Sequence, residues 1–162
     1  MHDGSVASAL QAPRGPASVA AYAERMTEEL PVSEYGFPGP LRDSLVAAII
    51  AGEKTSTTSL LRDYEREGEP LPEVGDRAVV IDSAGDPVGI EQITEVRIVR
   101  VGDVDLEHAL AEGEGFTSVA EWREGHEGFW HGSEYRDHAG DPSFRVTDDT
   151  LAVLARFRFE PI

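Results

Sequence analysis

Cysteine is absent from all 162 residues, so neither a disulfide framework nor a thiolate metal site can be built. No apolar run approaches the roughly 20 residues that a membrane span requires. The N-terminus carries neither the basic n-region nor the apolar h-region of a secretory signal. These absences leave a cytoplasmic protein without membrane contact as the expectation. Positive charge is also scarce, and the formal net charge is −17 at pH 7. Broad, non-specific binding to nucleic acid depends on neutralising phosphates with Lys and Arg, and this balance disfavours it. A small local site with a few cations is still compatible with it. Scarcest of all is lysine: of 14 fixed cationic side chains, Lys54 alone is a lysine and the rest are arginines.

What remains is the composition of an ordinary globule, 40% apolar and 7% aromatic. The length suits one domain that buries roughly two thirds of its unfolded surface. The arginine skew has two readings. A coding bias would make Lys54 an incidental surface residue. Alternatively arginine cannot serve at that position, because it stays protonated whereas a desolvated lysine can lose its proton and act as base or nucleophile. The five residues that follow, Thr55 to Ser59, all carry hydroxyls.

Residues 1–16 mix small, Gly and Pro residues and read as a flexible tail, leaving 17–162 as one domain. Ser18 caps a helix over 18–30, and Leu41, Leu45, Val46, Ile49 and Ile50 form the stripe of a second, which Gly52 stops. Lys54 therefore follows a helix C-terminus, where cations are favoured. The segment 54–61 is β-prone, and 62–76 reads as a loop or short helix. "RAVVID" and "VGIEQITEVRIVRV" are strands joined by the hairpin chemistry of "SAGDP". Residues 104–112 form a short helix, and 117–130 a longer one with a capping box in Ser118 and Glu121. Residues 131–142 read as a loop. The last segment is a strand with Val153, Ala155, Phe157 and Phe159 inward against Leu154, Arg156 and Arg158. Without a regular βαβ rhythm the fold class is α+β, with a mostly antiparallel sheet or small barrel.

Three constellations can carry chemistry. A lysine at a helix-to-strand junction with hydroxyls beyond it can activate a nucleophile or hold an oxyanion. Lys54 and Thr57 share a face only if the chain turns at 53–55. Glu112 and Glu114 lie among glycines ahead of a helix start, where a carboxyl of raised pKa can act as general acid or base. The bland alternative is a pair of exposed carboxylates. The helix bearing Val119, Trp122, His126, Phe129 and Trp130 reads first as core; otherwise Trp122, His126 or Trp130 lines a pocket in which a base stacks. His126, His131 and His138 with Glu134 and Asp137 match no usual zinc spacing, so neither a metal nor a cofactor is expected.

The segments "LVAAIIAGEKTSTTSLL", "YEREGEPLPEVGDRAVVID" and "AEGEGFTSVAEWREGHEGFW" resemble the ASCH (activating signal cointegrator homology) domain, in its longer bacterial branch. The likeness covers roughly residues 34–160. It implies a small, mostly antiparallel PUA-like β-barrel with helices packed around a cleft that takes RNA or modified nucleosides. A homodimer is compatible with the family. Its G-x-K-x-x-x-x-R signature is met by Gly52 and Lys54, but Ser59 stands where the arginine would be, and Arg158 is the candidate to replace that charge. Small relatives deacetylate N4-acetylcytidine with a lysine, a threonine and a glutamate, roles that fall on Lys54, Thr57 and Glu114. Longer relatives are linked to ribonuclease activity on single-stranded RNA centred on the lysine. The resemblance thus implies first a ribonuclease with a lysine-centred cleft. Its alternatives are an N4-acetylcytidine amidohydrolase and a non-catalytic module that binds a modified base through Trp122, His126, Trp130 and Arg158.

Overall fold

The structure is a computed structural model that describes residues 29–162. The expected tail and nearly all of the expected helix over 18–30 lie outside the described residues. Among the described residues from Val32 on, five strands and five α-helices follow in the order β1 (Val32–Ser33), α1 (Pro40–Ile50), β2 (Ser56–Leu60), α2 (Leu61–Glu67), β3 (Arg77–Ile81), β4 (Pro87–Arg100), α3 (Leu106–Ala111), α4 (Val119–Trp130), α5 (Ser133–Ala139) and β5 (Leu151–Pro161). The sheet order is β1-β3-β4-β5-β2, antiparallel except for the short β1–β3 pair. The α+β, mostly antiparallel class expected from the sequence is the class observed.

Local chemistry explains most boundaries. Pro40 opens α1, where its missing N–H is no loss, and Gly52 takes φ 78° just past its end. The β3–β4 turn is held by the Asp82 carboxylate, which accepts from the backbone N–H groups of Ala84 and Asp86 at 3.0 and 2.9 Å. Ser118 caps α4 by accepting from the Glu121 N–H at 3.1 Å. The Glu121 carboxylate reaches back to Thr117 rather than closing only on the cap. The expected loop over 131–142 contains α5, whose flanking Gly132 and Gly140 mark helix ends, Gly140 at φ 66°.

β5 differs from its expected one-sided alternation. Ala152, Val153, Leu154 and Ala155 are all buried, because β5 lies between β4 and β2 with apolar layers on both faces. On one face Val80, Ile93, Ala155 and Phe157 pack under Leu45, Val46 and Ile49 of α1. On the other, Leu60, Ala152 and Leu154 pack under Trp122 and Trp130 of α4, with Tyr135 of α5. Leu154 belongs to this second core and does not face solvent. The edge strand β2 therefore has two differently furnished faces, set by its register against β5: Thr57 and Ser59 lie opposite Ala155 and Val153, whereas Thr58 and Leu60 lie opposite Leu154 and Ala152.

Candidate functional site

A cleft of about 1570 Å³ runs along the α1 side of the sheet and round the edge of β2. Lys54 stands at its base. After α1 the chain reverses sharply, as the N–H groups of Glu53 and Lys54 both donate to Ala48 O, at 2.9 and 3.1 Å. This is the turn at 53–55 that the sequence required, and it buries Lys54 to 3% exposure. Its Nζ donates to Ser56 O at 2.9 Å and to Glu112 O at 3.3 Å, and lies 3.5 Å from Glu114 Oε2. Three acceptors thus match the three N–H donors of an ammonium. The Tyr35 ring lies beneath the amine, its centroid 5.9 Å away.

Glu112 and Glu114 reach Lys54 because Gly113 separates them. Gly113 has φ 64°, and a Cβ there would stand 2.3 Å from Glu53 O, so any side chain would push this loop off the lysine turn. Thr55 N–H donating to Ala111 O at 2.8 Å completes the join. Glu112 is fully buried at the end of α3. Its Oε1 accepts from Thr58 Oγ1 and lies 3.0 Å from His108 Nε2, while Oε2 lies 2.9 Å from His126 Nε2. Burial works against its charge, but these hydrogen bonds and the nearby Lys54 outweigh burial and hold it well below the usual carboxylate range. Glu114, partly exposed in the cleft, behaves in the opposite way. Burial first, then the neighbouring Glu112 carboxylate, raise it to about 7 against the pull of Lys54. Adjacent carboxyls whose environments separate them in this way are how folds assign one fixed charge and one titrating group.

His126 joins the pair from α4. Its Nδ1 donates to Trp122 O at 2.9 Å and its Nε2 faces Glu112. Burial disfavours its charged form, yet Glu112 and Glu114 together raise its pKa above the usual histidine value. Donor atoms of Glu112, Glu114 and His126 lie within 4.8 Å of one another, a spacing that could hold a metal. The Lys54 ammonium 3.5 Å from Glu114 already supplies the cation there.

The cleft continues past Lys54 to Tyr35 and Glu91. Tyr35 Oη donates to Glu91 Oε2, and burial raises the pKa of both groups, Tyr35 strongly. Thr57 lines the cleft on this side, and its hydroxyl makes no hydrogen bond among the described residues.

Of the residues singled out in the sequence, Lys54, Thr57, Glu114 and His126 meet in one cleft, with Trp130 in its wall. Two are placed elsewhere. Trp122 has no exposed surface, lies in the aromatic core and stacks on His126 with centroids 4.4 Å apart, so it backs the histidine instead of offering a face to a base. Arg158 lies outside the cleft on an exposed part of β5, donating to Gln92 Oε1 at 2.8 Å. Its position on the strand points it away from the face that carries Thr57 and Ala155, and it does not replace the missing signature arginine. Sequence reasoning passed over His108, Thr58, Tyr35 and Glu91. The i,i+4 spacing of His108 and Glu112 was a readable signal. Tyr35 and Glu91, 56 positions apart, left none.

The ASCH domain family model matches residues 34–160. Among solved structures, a protein from Enterococcus faecalis V583 superposes with a TM-score of 0.73 at 24% identity, covering 88% of each chain. The ASCH domain from Lactobacillus crispatus JV V101 superposes with a TM-score of 0.67 at 26% identity, covering 89% of each chain. No curated protein matches the chain. ASCH domains have a PUA-like fold and are linked to RNA binding. Among the described residues no helix is long and apolar enough to cross a membrane.

Proposed function

Since this chain belongs to the ASCH domain family, we propose that its cleft hydrolyses the acyl amide of a modified nucleoside, N4-acetylcytidine being the type substrate, in the cytoplasm. The observation that carries this reading is Glu114, a cleft-facing carboxyl 3.5 Å from the Lys54 amine and raised to about 7. A carboxyl of that pKa can both take and return a proton at neutral pH. Thr57 supplies the nucleophile in the same cleft. Its Oγ bonds to the acetyl carbon while the Glu114 carboxylate takes the hydroxyl proton. The C–N bond then breaks, Glu114 returns that proton to the leaving amine, and cytidine departs. Water attacks the acetyl–threonine ester with Glu114 again as the base, releasing acetate and restoring Thr57. The positive charge of Lys54 lowers the cost of the alkoxide and of the tetrahedral oxyanion.

Charge favours a neutral substrate over a phosphodiester at this point. Glu112, Glu114 and Glu91 all lie around the single ammonium, and each would repel a phosphate placed on Lys54. Ribonuclease action on single-stranded RNA is the second reading. It is favoured by a cleft of about 1570 Å³, larger than one nucleoside needs, with Arg66 and Arg77 on its lining. One assay addresses both. Purified wild type and Lys54→Ala are mixed with free N4-acetylcytidine and with labelled single-stranded RNA, and substrate loss is followed by chromatography. Wild type is expected to consume the nucleoside and the variant to spare it. Consumption of RNA alone would install the second reading, and consumption of neither would leave a binding module for a modified base.

A further inference from the structure

β2 stands at the edge of the sheet, so one side of its backbone has no strand beside it. Which amide groups face that open side follows from the register. The Phe157 N–H donates to Thr55 O at 3.1 Å, and this pair continues the β2–β5 register by one step. In an antiparallel ladder, pairs bonded in this way alternate with pairs whose backbone groups point away from the partner. Thr57 and Ser59 therefore bond to β5, while the N–H and C=O groups of Ser56 and Thr58 point off the edge. The Ser56 carbonyl does so, since it accepts from Lys54 Nζ at 2.9 Å. The Thr58 N–H has no such partner: among the described residues no side chain and no loop carbonyl accepts from it. Thr58 is half-buried and lines the cleft beside Lys54 and Thr57. A backbone donor in that position is costly unless water or a ligand takes it.

We propose that the Thr58 backbone N–H is the second donor of an oxyanion hole, acting with the Lys54 ammonium during acyl transfer to Thr57. The proposal rests on the reading of Thr57 as the nucleophile. As Thr57 Oγ1 bonds to the acetyl carbon, the carbonyl electron pair moves onto the acetyl oxygen and the hydroxyl proton passes to Glu114. Glu114 is then neutral, which releases the Lys54 charge, 3.5 Å from it, to the new anion. Ser56 O holds Lys54 Nζ on the same strand edge, two residues before the Thr58 N–H, so both donors approach the acetyl oxygen from one side. The N–H of the residue after the nucleophile is also the donor that α/β-hydrolases use. Such a donor must be fixed where charge develops. Thr58 meets that condition, because its hydroxyl is tied to His108 and Glu112 and its neighbours on β2 are paired with β5. When the intermediate collapses, the electron pair returns to carbon, the C–N bond breaks and the amine leaves with the proton from Glu114. The same two donors then serve the attack of water on the ester.

Two measurements on the full chain test this. In amide hydrogen exchange followed by NMR, Thr58 should exchange about tenfold or more faster than Thr57 and Ser59, whose N–H groups lie in the ladder. Protection of Thr58 equal to theirs would show a donor already engaged and would overturn the proposal. In the second, Thr58 is replaced by its α-hydroxy acid, which exchanges only the N–H for an ester oxygen and keeps the hydroxyl bonded to Glu112. The kcat for N4-acetylcytidine should fall by about 10²- to 10³-fold, with KM and cytidine binding close to wild type. A folded ester variant with the wild-type kcat would overturn the proposal and leave the role of Thr57 intact. If the ester variant does not fold, Thr58→Pro is compared with Thr58→Val. Both lose the hydroxyl, and proline alone loses the N–H, which a strand edge tolerates where that group faces outward. The proline variant should be slower than the valine variant by the same factor, and equal rates would overturn the proposal. A wild-type protein that hydrolyses no acyl amide would overturn the reading of Thr57 and this proposal together.

Discussion

Thr57 and Thr58 are adjacent and chemically identical, yet the two faces of β2 give them opposite situations. Thr57 looks into the cleft with a hydroxyl that bonds to nothing among the described residues. Thr58 looks toward the helices and is tied to both His108 and Glu112. Both line the cleft and both are half-buried, so hydrogen bonding is what separates them. The same division runs through the molecule. The α1 face carries Lys54, Tyr35 and Glu91 around open space, whereas the α4 face packs Trp122 and Trp130 over the sheet, with His126 and Trp130 also reaching the cleft. A nucleophilic hydroxyl must be unengaged, whereas a hydroxyl that holds a neighbour must be engaged. A two-residue alternation supplies both from consecutive positions.

The comparison is broken most severely at Thr57. Thr57→Ala should lower hydrolysis more than about 10³-fold, as loss of a nucleophile does, with product cytidine still binding by calorimetry and the melting temperature close to wild type. Equal turnover in that variant would place the nucleophile elsewhere. Next comes Glu114→Gln, for which the loss expected from removing a proton carrier is about 10²- to 10⁴-fold. In wild type the shuttle must begin as a carboxylate, so kcat/KM should climb as the pH passes about 7. A flat profile there would remove Glu114 from that role.

Glu114 also makes a stability prediction whose sign is fixed. Its folded-state pKa, about 7, lies above the ordinary 4.5, so the folded form holds a proton that the unfolded form has lost. Its contribution to stability is therefore fully present below 4.5 and is lost as the pH rises to about 7. Denaturant titrations of Glu114→Gln should lack that decline, and a variant that retains it would assign the decline to another group. On the α4 face the main expected effect is on folding. Trp122→Ala should cost about 3–5 kcal/mol by emptying a core site, measured by denaturant unfolding. Smallest of all, Arg158→Ala should change stability by less than about 0.5 kcal/mol and leave turnover as it was. A large effect on turnover there would restore Arg158 to the site.

The fold was legible where local pattern decides it. The α1 stripe ending at Gly52, the Asp-rich β3–β4 turn and the Ser118 cap all follow from residues within a few positions of one another. The exposed-face assignment of Leu154 failed because β5 is covered on both faces, a fact of sheet order that no two-residue period contains. Lys54 stood out through its isolation in composition, and Glu114 through the glycines that let its loop approach the lysine turn. The site's other half was hidden for two reasons. Thr58 and Thr57 are indistinguishable until the β2–β5 register is known. Tyr35 and Glu91 meet only after β1, β3 and β4 have paired. Trp122 and Trp130 are core residues, the reading given first to their helix, and Trp130 also reaches the cleft wall; aromatic residues at helical spacing suit both places.

The most direct test is to measure N4-acetylcytidine hydrolysis across pH for wild type, Thr57→Ala and Thr58→Val side by side. The different engagement of the two hydroxyls predicts no turnover by Thr57→Ala and retained turnover by Thr58→Val. Wild-type rates in Thr57→Ala, or a silent Thr58→Val beside an active Thr57→Ala, would contradict the division of labour between these two neighbouring hydroxyls.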